Sequence, residues 1–158
     1  MRYKLTSKTI EIVGYTLYQI EYSDGSLGGF IESESNLSQE GKAQVYGDAQ
    51  VYGDAQVYGN ARVSDDARVS DDAQVYADAR VYGNAQVSDK NQCITITSFT
   101  FPITALPKGV QIGYLYKSYA QWMTVLKSKA VKLGLNPSEY SILKKLLPLL
   151  KLQTNKKS

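Results

Sequence analysis

The chain has 158 residues, 43% hydrophobic and 21% charged, with a net charge of +3, which suffices for one packed domain with appendages and excludes disorder by composition. It contains no histidine, the side chain whose unperturbed pKa lies near neutrality and the commonest metal ligand, so imidazole-based general-base and zinc chemistries are excluded together. A single cysteine, Cys93, excludes an internal disulfide framework and suits a reducing compartment.

The small net charge hides a gradient: residues 1–40 sum to −3, 41–90 to −3 and 91–158 to +9. A basic final third is either a well-solvated surface or an attractor of nucleic acid, anionic lipid or an acidic protein. Met1–Ile10 lacks the apolar stretch of a signal peptide, and no apolar run is long enough to span a bilayer, so the expected location is the cytoplasm, without a membrane partner.

Residues 1–42 read as an N-terminal hairpin and entry coil. Ile10, Ile12, Leu17 and Ile20 alternate with polar neighbours, and Gly14 is placed to turn Thr9–Val13 back into Tyr15–Tyr22. Ser23-Asp24-Gly25-Ser26 is a turn cluster, Leu27-Gly28-Gly29-Phe30-Ile31 a corner leading into a strand, and Glu32–Gly41 an irregular coil around one apolar anchor, Leu37.

From Ala43 to Lys90 a hexad Ala-(Gln/Arg)-Val-(Tyr/Ser)-x-(Asp/Asn/Lys) repeats eight times without insertion. A period of six is neither helical nor simply alternating, and it defines a solenoid occupying residues 43–97. Val and the Ala two residues before it point inward on a short strand, and three hexads close one coil of 18 residues. The corner residues are Gly47, Gly53, Gly59, Asp65, Asp71, Ala77, Gly83 and Asp89; Gly and Asp tolerate a left-handed backbone, and Ala77 departs from that chemistry. Coils ~4.8 Å apart make a short rod whose open strand edges need caps, expected from the hairpin and from the chain after Lys90.

Residues 98–158 read as C-terminal strands and two amphipathic helices, a cap or an interaction region. Asn91–Thr95 continues the hexad register in degraded form, with Cys93 in a Val position as a small buried hydrophobe. Strand alternation is expected over Cys93–Thr97, Phe99–Ile103 and Gly109–Tyr116. A first helix follows the Ser118/Gln121 capping box, buries Tyr119, Trp122, Met123, Leu126, Ala130 and Leu133 on one face, and ends at Gly134. A second starts at Asn136-Pro137-Ser138-Glu139, carries Tyr140, Leu143, Leu147 and Leu150 inward with Lys144, Lys145 and Lys151 opposite, and is kinked or ended by Pro148; Gln153–Ser158 is a frayed basic tail.

The hexads resemble the hexapeptide-repeat proteins that form left-handed parallel β-helices, the architecture of a large group of acyltransferases. More narrowly, Leu27-Gly28-Gly29-Phe30-Ile31-Glu32-Ser33 with Asn36-Leu37-Ser38, then the repeats, then Gln111-Ile112-Gly113 before a Tyr/Trp helix, is similar to a group of uncharacterised bacterial and prophage proteins often labelled transferases. The left-handed coil is implied by that resemblance alone, since crossovers are normally right-handed; so are a trimeric assembly and a phage-encoded accessory role in the cytoplasm of a bacterial host cell.

The acyltransferases of this architecture use a His base and loops inserted between coils, and this chain has neither between Ala43 and Lys90. The expectation is therefore a mainly β, non-catalytic binding scaffold without cofactor or metal, which self-associates as a trimer or dimer and binds a host protein such as a defence nuclease. Its partner surface is expected from the outward rows: Tyr46, Tyr58, Tyr76 and Tyr82 with Arg62 and Arg80, the third row being Tyr58, Tyr76 and Ile94. Asp48, Asp54, Asp66 and Asp72 form a possible acidic ladder mimicking nucleic-acid phosphates. Lys127, Lys129, Lys132, Lys144, Lys145 and Lys151 form a possible basic surface for nucleic acid. The alternatives are an acyl-CoA-using enzyme and a nucleic-acid-binding protein.

Overall fold

The computed structural model describes residues 2–113, 115–125, 127–132 and 134–155. Leu126 and Leu133, expected on the first helix's buried face, lie outside the described residues, as do Met1, Tyr114 and the tail from residue 156.

Two antiparallel strands open the chain, β1 (Tyr3–Ile12) and β2 (Tyr15–Tyr22), joined at Val13 and Gly14 with φ of 49° and 85°. Two successive positive φ values form the tight turn whose twist matches that of the strands. β3 (Leu27–Ile31) pairs antiparallel with β2 on one side and parallel with Gln50–Val51 on the other. The parallel coils thus begin at β3, inside the segment that the sequence assigns to hairpin and entry coil. A Cβ on Gly29 would stand 2.6 Å from the Ala49 carbonyl oxygen, which is why this crossing accepts only glycine.

Each hexad supplies one two-residue strand: β4 (Gln44–Val45), β5 (Gln50–Val51), β6 (Gln56–Val57), β7 (Arg62–Val63), β8 (Arg68–Val69), β9 (Gln74–Val75), β10 (Arg80–Val81) and β11 (Gln86–Val87). Residues 18 apart are partners in parallel register, giving the three faces β4-β7-β10, β3-β5-β8-β11 and β6-β9. The valines and alanines of all eight hexads are buried. At roughly 1.5–3 kcal/mol per buried valine, they supply the rod's cohesion.

Seven corner residues, Gly47, Gly53, Gly59, Asp65, Asp71, Ala77 and Gly83, have φ between 53° and 71°. The left-handed corner expected from Gly and Asp is observed, and Ala77 is held in it without that chemistry. Asp89 is not among the positive-φ residues. Its carboxylate instead accepts from the Asn91 N–H (2.7 Å) and its carbonyl from the Gln92 N–H (2.9 Å), a turn that ends the hexad run.

Both ends of the rod are capped. At the N-terminal end the Tyr22 hydroxyl accepts from the Val45 N–H (2.8 Å) and donates to the Val45 carbonyl (3.1 Å), satisfying the exposed edge of β4. Leu37 bridges Val57, and the Asn36 amide donates to the carbonyls of Gly53 and Ala55, both at 2.9 Å. At the C-terminal end β12 (Ile94–Ile96), β13 (Ile103–Leu106), β14 (Gly109–Ile112) and β15 (Leu115–Ser118) form an antiparallel sheet. Its period-2 alternation splits it between two cores. Leu106 packs in the rod cluster and Thr104 Oγ1 accepts from the Arg80 N–H (2.9 Å), while Ile103, Ala105, Val110 and Ile112 face three helices, α1 (Tyr119–Thr124), α2 (Lys127–Lys132) and α3 (Pro137–Thr154).

Several expectations change. The strand foreseen over Phe99–Ile103 starts at Ile103, because Pro102 has no N–H for a ladder and Thr100 is drawn off to Glu139 Oε1 (2.5 and 2.9 Å). Gly109–Tyr116 is two strands turning at Gly113, whose φ is 57°. The first helix is broken after Thr124: Lys144 Nζ takes the Trp122 and Met123 carbonyls, and the Tyr140 hydroxyl takes that of Val125 (2.7 Å). Met123, expected to be buried, is exposed. Pro148 does not end α3, which runs on to Thr154 with the proline exposed on its surface. The frayed tail is also overturned for Gln153–Asn155: Thr154 is buried and bonded to the Leu150 carbonyl (2.9 Å) and the Tyr119 hydroxyl (3.1 Å).

Candidate functional site

The outward rows differ in what they leave available. Tyr46 packs against Tyr22, ring centroids 5.2 Å apart, and is half-buried in the N-terminal cap. Tyr52 meets Tyr15 of the hairpin at 5.1 Å. Tyr82 is half-buried. Tyr58 and Tyr76 are different: their rings stack at 5.4 Å with an interplanar angle of 12°, and they are 36% and 42% exposed. Burial and the neighbouring Tyr76 hydroxyl raise the Tyr58 pKa above its ordinary value. Ile94 does not extend this row, because the face ends at β9 and Ile94 packs against the core under the helices.

The stacked pair stands on the two-stranded face β6-β9. A groove beside it is lined by Ser35, Ser38, Gln56, Val57 and Tyr58, without a charged side chain.

Arg62 and Arg80 are direct partners in the parallel ladder. Arg80 is half-buried and its Nη1 donates to the Gly113 carbonyl (3.4 Å), so it also serves the C-terminal cap, whereas Arg62 is exposed. Sequence reasoning missed Lys42, which the same 18-residue stacking sets in a row with Asn60 and Asp78 beside the two arginines. The signal was present in the register, but Lys42 lies just ahead of the first hexad.

Asp48, Asp54, Asp66 and Asp72 are all exposed at corners. They form two separate pairs one coil apart, followed by Asn84 and Lys90 respectively, and so fall short of a continuous ladder. Lys127, Lys129, Lys132, Lys145 and Lys151 are exposed on the helices, but Lys144 is half-buried, closing the end of α1 and standing 5.6 Å from the Tyr140 ring centroid. Ile142, Leu149 and Leu152 are exposed on α3 beside Lys145.

Cys93 is buried, and desolvation pushes its thiol up to about 12 against a hydrogen bond with Thr95 that lowers it. A neutral, enclosed thiol is a packing residue. Among the described residues no three of Asp, Glu and Cys cluster so as to hold a metal ion, and no helix is long and apolar enough to cross a membrane.

Four stretches, residues 43–59, 55–71, 61–77 and 73–89, match the YdcK beta solenoid repeat. Their starting points differ by multiples of six, so each match keeps the phase of the Ala and Val rows. The chain is a β-solenoid repeat protein. The matched segment, 43–89, is the body of the solenoid and stops short of the hairpin and of the C-terminal sheet and helices. No curated protein matches the chain.

Proposed function

We propose that this β-solenoid protein is a non-catalytic binding scaffold that self-associates through the Tyr58/Tyr76 face and holds a macromolecular partner on the surfaces left free. The stacked, exposed tyrosine pair carries the reading. Exposed aromatic area beside a groove lined by no charged side chain favours contact with a second copy, whereas pairing through the helices would oppose two basic surfaces, six lysines against one glutamate over residues 119–154. The absence of histidine and the neutral, buried Cys93 support a role without covalent or general-base chemistry.

Serine occupies the tyrosine position at residues 64, 70 and 88, so Tyr58→Ser/Tyr76→Ser uses the repeat's own alternative and leaves the rod folded. Light scattering on the eluted protein should give a dimer or trimer for the wild type and a monomer for the double variant. A wild-type monomer at all accessible concentrations, or an oligomer indifferent to the substitution, would sink the assignment. The likeness to prophage proteins motivates a narrower reading: a phage-encoded accessory protein, of the hexapeptide-repeat transferase-labelled group, that binds a host protein such as a defence nuclease in the bacterial cytoplasm. Affinity co-purification from infected and uninfected cells tests that partner class. Acyl transfer from acetyl-CoA by the pure protein would overturn the non-catalytic reading.

A further inference from the structure

The solenoid's 18-residue stacking brings two rows of side chains to one corner: Lys42, Asn60 and Asp78 in one, Arg62 and Arg80 in the other. With Pro102 from the C-terminal segment they line a polar cleft of about 230 Å³. Three of the six lining residues are cations, against one carboxylate.

This arrangement is unfavourable for the isolated fold. Like charges directly opposite one another on neighbouring strands repel, and Arg62 and Arg80 are such a pair. The fold does not require them, because Gln occupies the same position in five hexads, at residues 44, 50, 56, 74 and 86. Nor is the repulsion relieved internally: among the described residues no carboxylate lies within the 4.0 Å of an ion pair from Lys42, Arg62 or Arg80. The one carboxylate in the cleft, Asp78, accepts from the Asn60 amide at 3.2 Å. Arg80 is fixed through Nη1 on the Gly113 carbonyl (3.4 Å), which leaves its other guanidinium donors for a ligand.

We propose that this corner cleft is a binding site for a phosphate group carried by a small molecule. Two guanidinium groups one coil apart offer paired N–H donors to the oxygens of a tetrahedral anion, and Lys42 adds a mobile point charge. The volume lies below the roughly 300–1,000 Å³ of drug-sized ligand pockets, which suits a phosphate with a small substituent. Neither Tyr58 nor Tyr76 lines the cleft, although Asn60 and Asp78 follow them by two residues and place it at the border of the association surface.

The full-length protein is titrated with inorganic phosphate at constant ionic strength, following the arginine Nε–H signals by NMR, in wild type, Arg62→Gln, Asp78→Asn and the control Arg68→Gln. Each substitution introduces a residue the repeat already uses at that position, so all four proteins should fold. Arg68 is exposed and lies in a different face, opposite Gln50 and Gln86, so its loss changes net charge without touching the cleft. The expected result is saturable movement of the Arg62 and Arg80 signals, weakened about tenfold in Arg62→Gln, tightened roughly two- to fivefold in Asp78→Asn and unchanged in Arg68→Gln. Non-saturating shifts, or equal weakening in Arg62→Gln and Arg68→Gln, would reduce the effect to screening and overturn the site. A parallel titration with a single-stranded oligonucleotide separates the sources: binding with a steep salt slope, unaffected by Arg62→Gln, would overturn the small-molecule assignment in favour of a polymer on the exposed lysines. Light scattering on the same samples tests association separately, so either proposal can fail without the other.

Discussion

At the scale of single residues, conformational cost and hydrogen-bond satisfaction decide which side chains matter. Val13 and Ala77 are held at φ of 49° and 54°, where an L-residue with a Cβ pays about 1–2 kcal/mol. Neither position is buried, so substitution there tests the backbone alone. Val13→Asn creates the Asn-Gly pair that this turn favours, and Ala77→Gly restores the commonest corner residue; each should raise stability by roughly 0.5–1 kcal/mol in chemical denaturation once glycine's extra unfolded entropy is deducted from the second. Ala77 was legible as an exception because seven neighbours declared the rule, whereas Tyr46 was not legible as a capping residue, because its partner Tyr22 comes from a hairpin whose placement no local pattern encodes. Tyr22 itself carries a pH prediction. Burial is the main cause that lifts its hydroxyl from the ordinary 10 to about 12, against the Val45 backbone bond, which lowers it. The unfolded chain therefore ionises first, and this residue's contribution, intact below pH 10, drains away between pH 10 and 12. Tyr22→Phe should cost about 1–3 kcal/mol at neutral pH, by leaving the Val45 edge unsatisfied, and its stability should fall less steeply across that alkaline window.

Among the elements, the hexad strands were readable because each repeats the same inward pair, and register followed from the period without any long-range information. The helices were readable only in part. Both capping boxes, Ser118 with Gln121 and Asn136 with Glu139, stand where the sequence put them. The break between α1 and α2 was hidden, because it depends on Lys144 and Tyr140 reaching across from α3. Glu139 does two jobs at once, accepting from the Asn136 N–H (3.0 Å) and from the Thr100 N–H and hydroxyl. Partial burial opposes its ionisation, but these hydrogen bonds outweigh it and hold the carboxyl below its ordinary value. A depressed folded pKa stabilises at neutral pH and is lost as pH falls through that value, below the usual carboxylate range. Glu139→Gln should therefore melt earlier than wild type at pH 7, and the difference should close as the solution is acidified below pH ~4. A constant gap at every pH would show that the charge is immaterial there.

For the whole molecule, the decisive feature is how the rod's far end is covered. The sequence foresaw a cap of strands and helices, but not its layering: the sheet β12–β15 lies between two cores, with Leu106 in the rod cluster and Ile103, Ala105, Val110 and Ile112 under the helices. The helices therefore do not touch the coil end through these positions; they cover the sheet that does. Deleting residues 118–158 would leave the rod end closed by Leu106 and by the Arg80–Thr104 bond (2.9 Å), while stripping the outer sheet face of its cover. That distinction separates two outcomes. If the sheet alone seals the rod, the truncated protein should keep its β-solenoid circular dichroism while binding a hydrophobic dye and associating through the bared face, an exposed apolar patch of the kind that drives aggregation. If the helices are what hold the sheet in place, the truncation should lose the parallel-coil signal as well. The rod-facing contacts of Leu106 and Thr104 favour the first outcome, and adding Leu106→Ala to the truncation, at about 2–5 kcal/mol for an emptied core position, should convert it into the second.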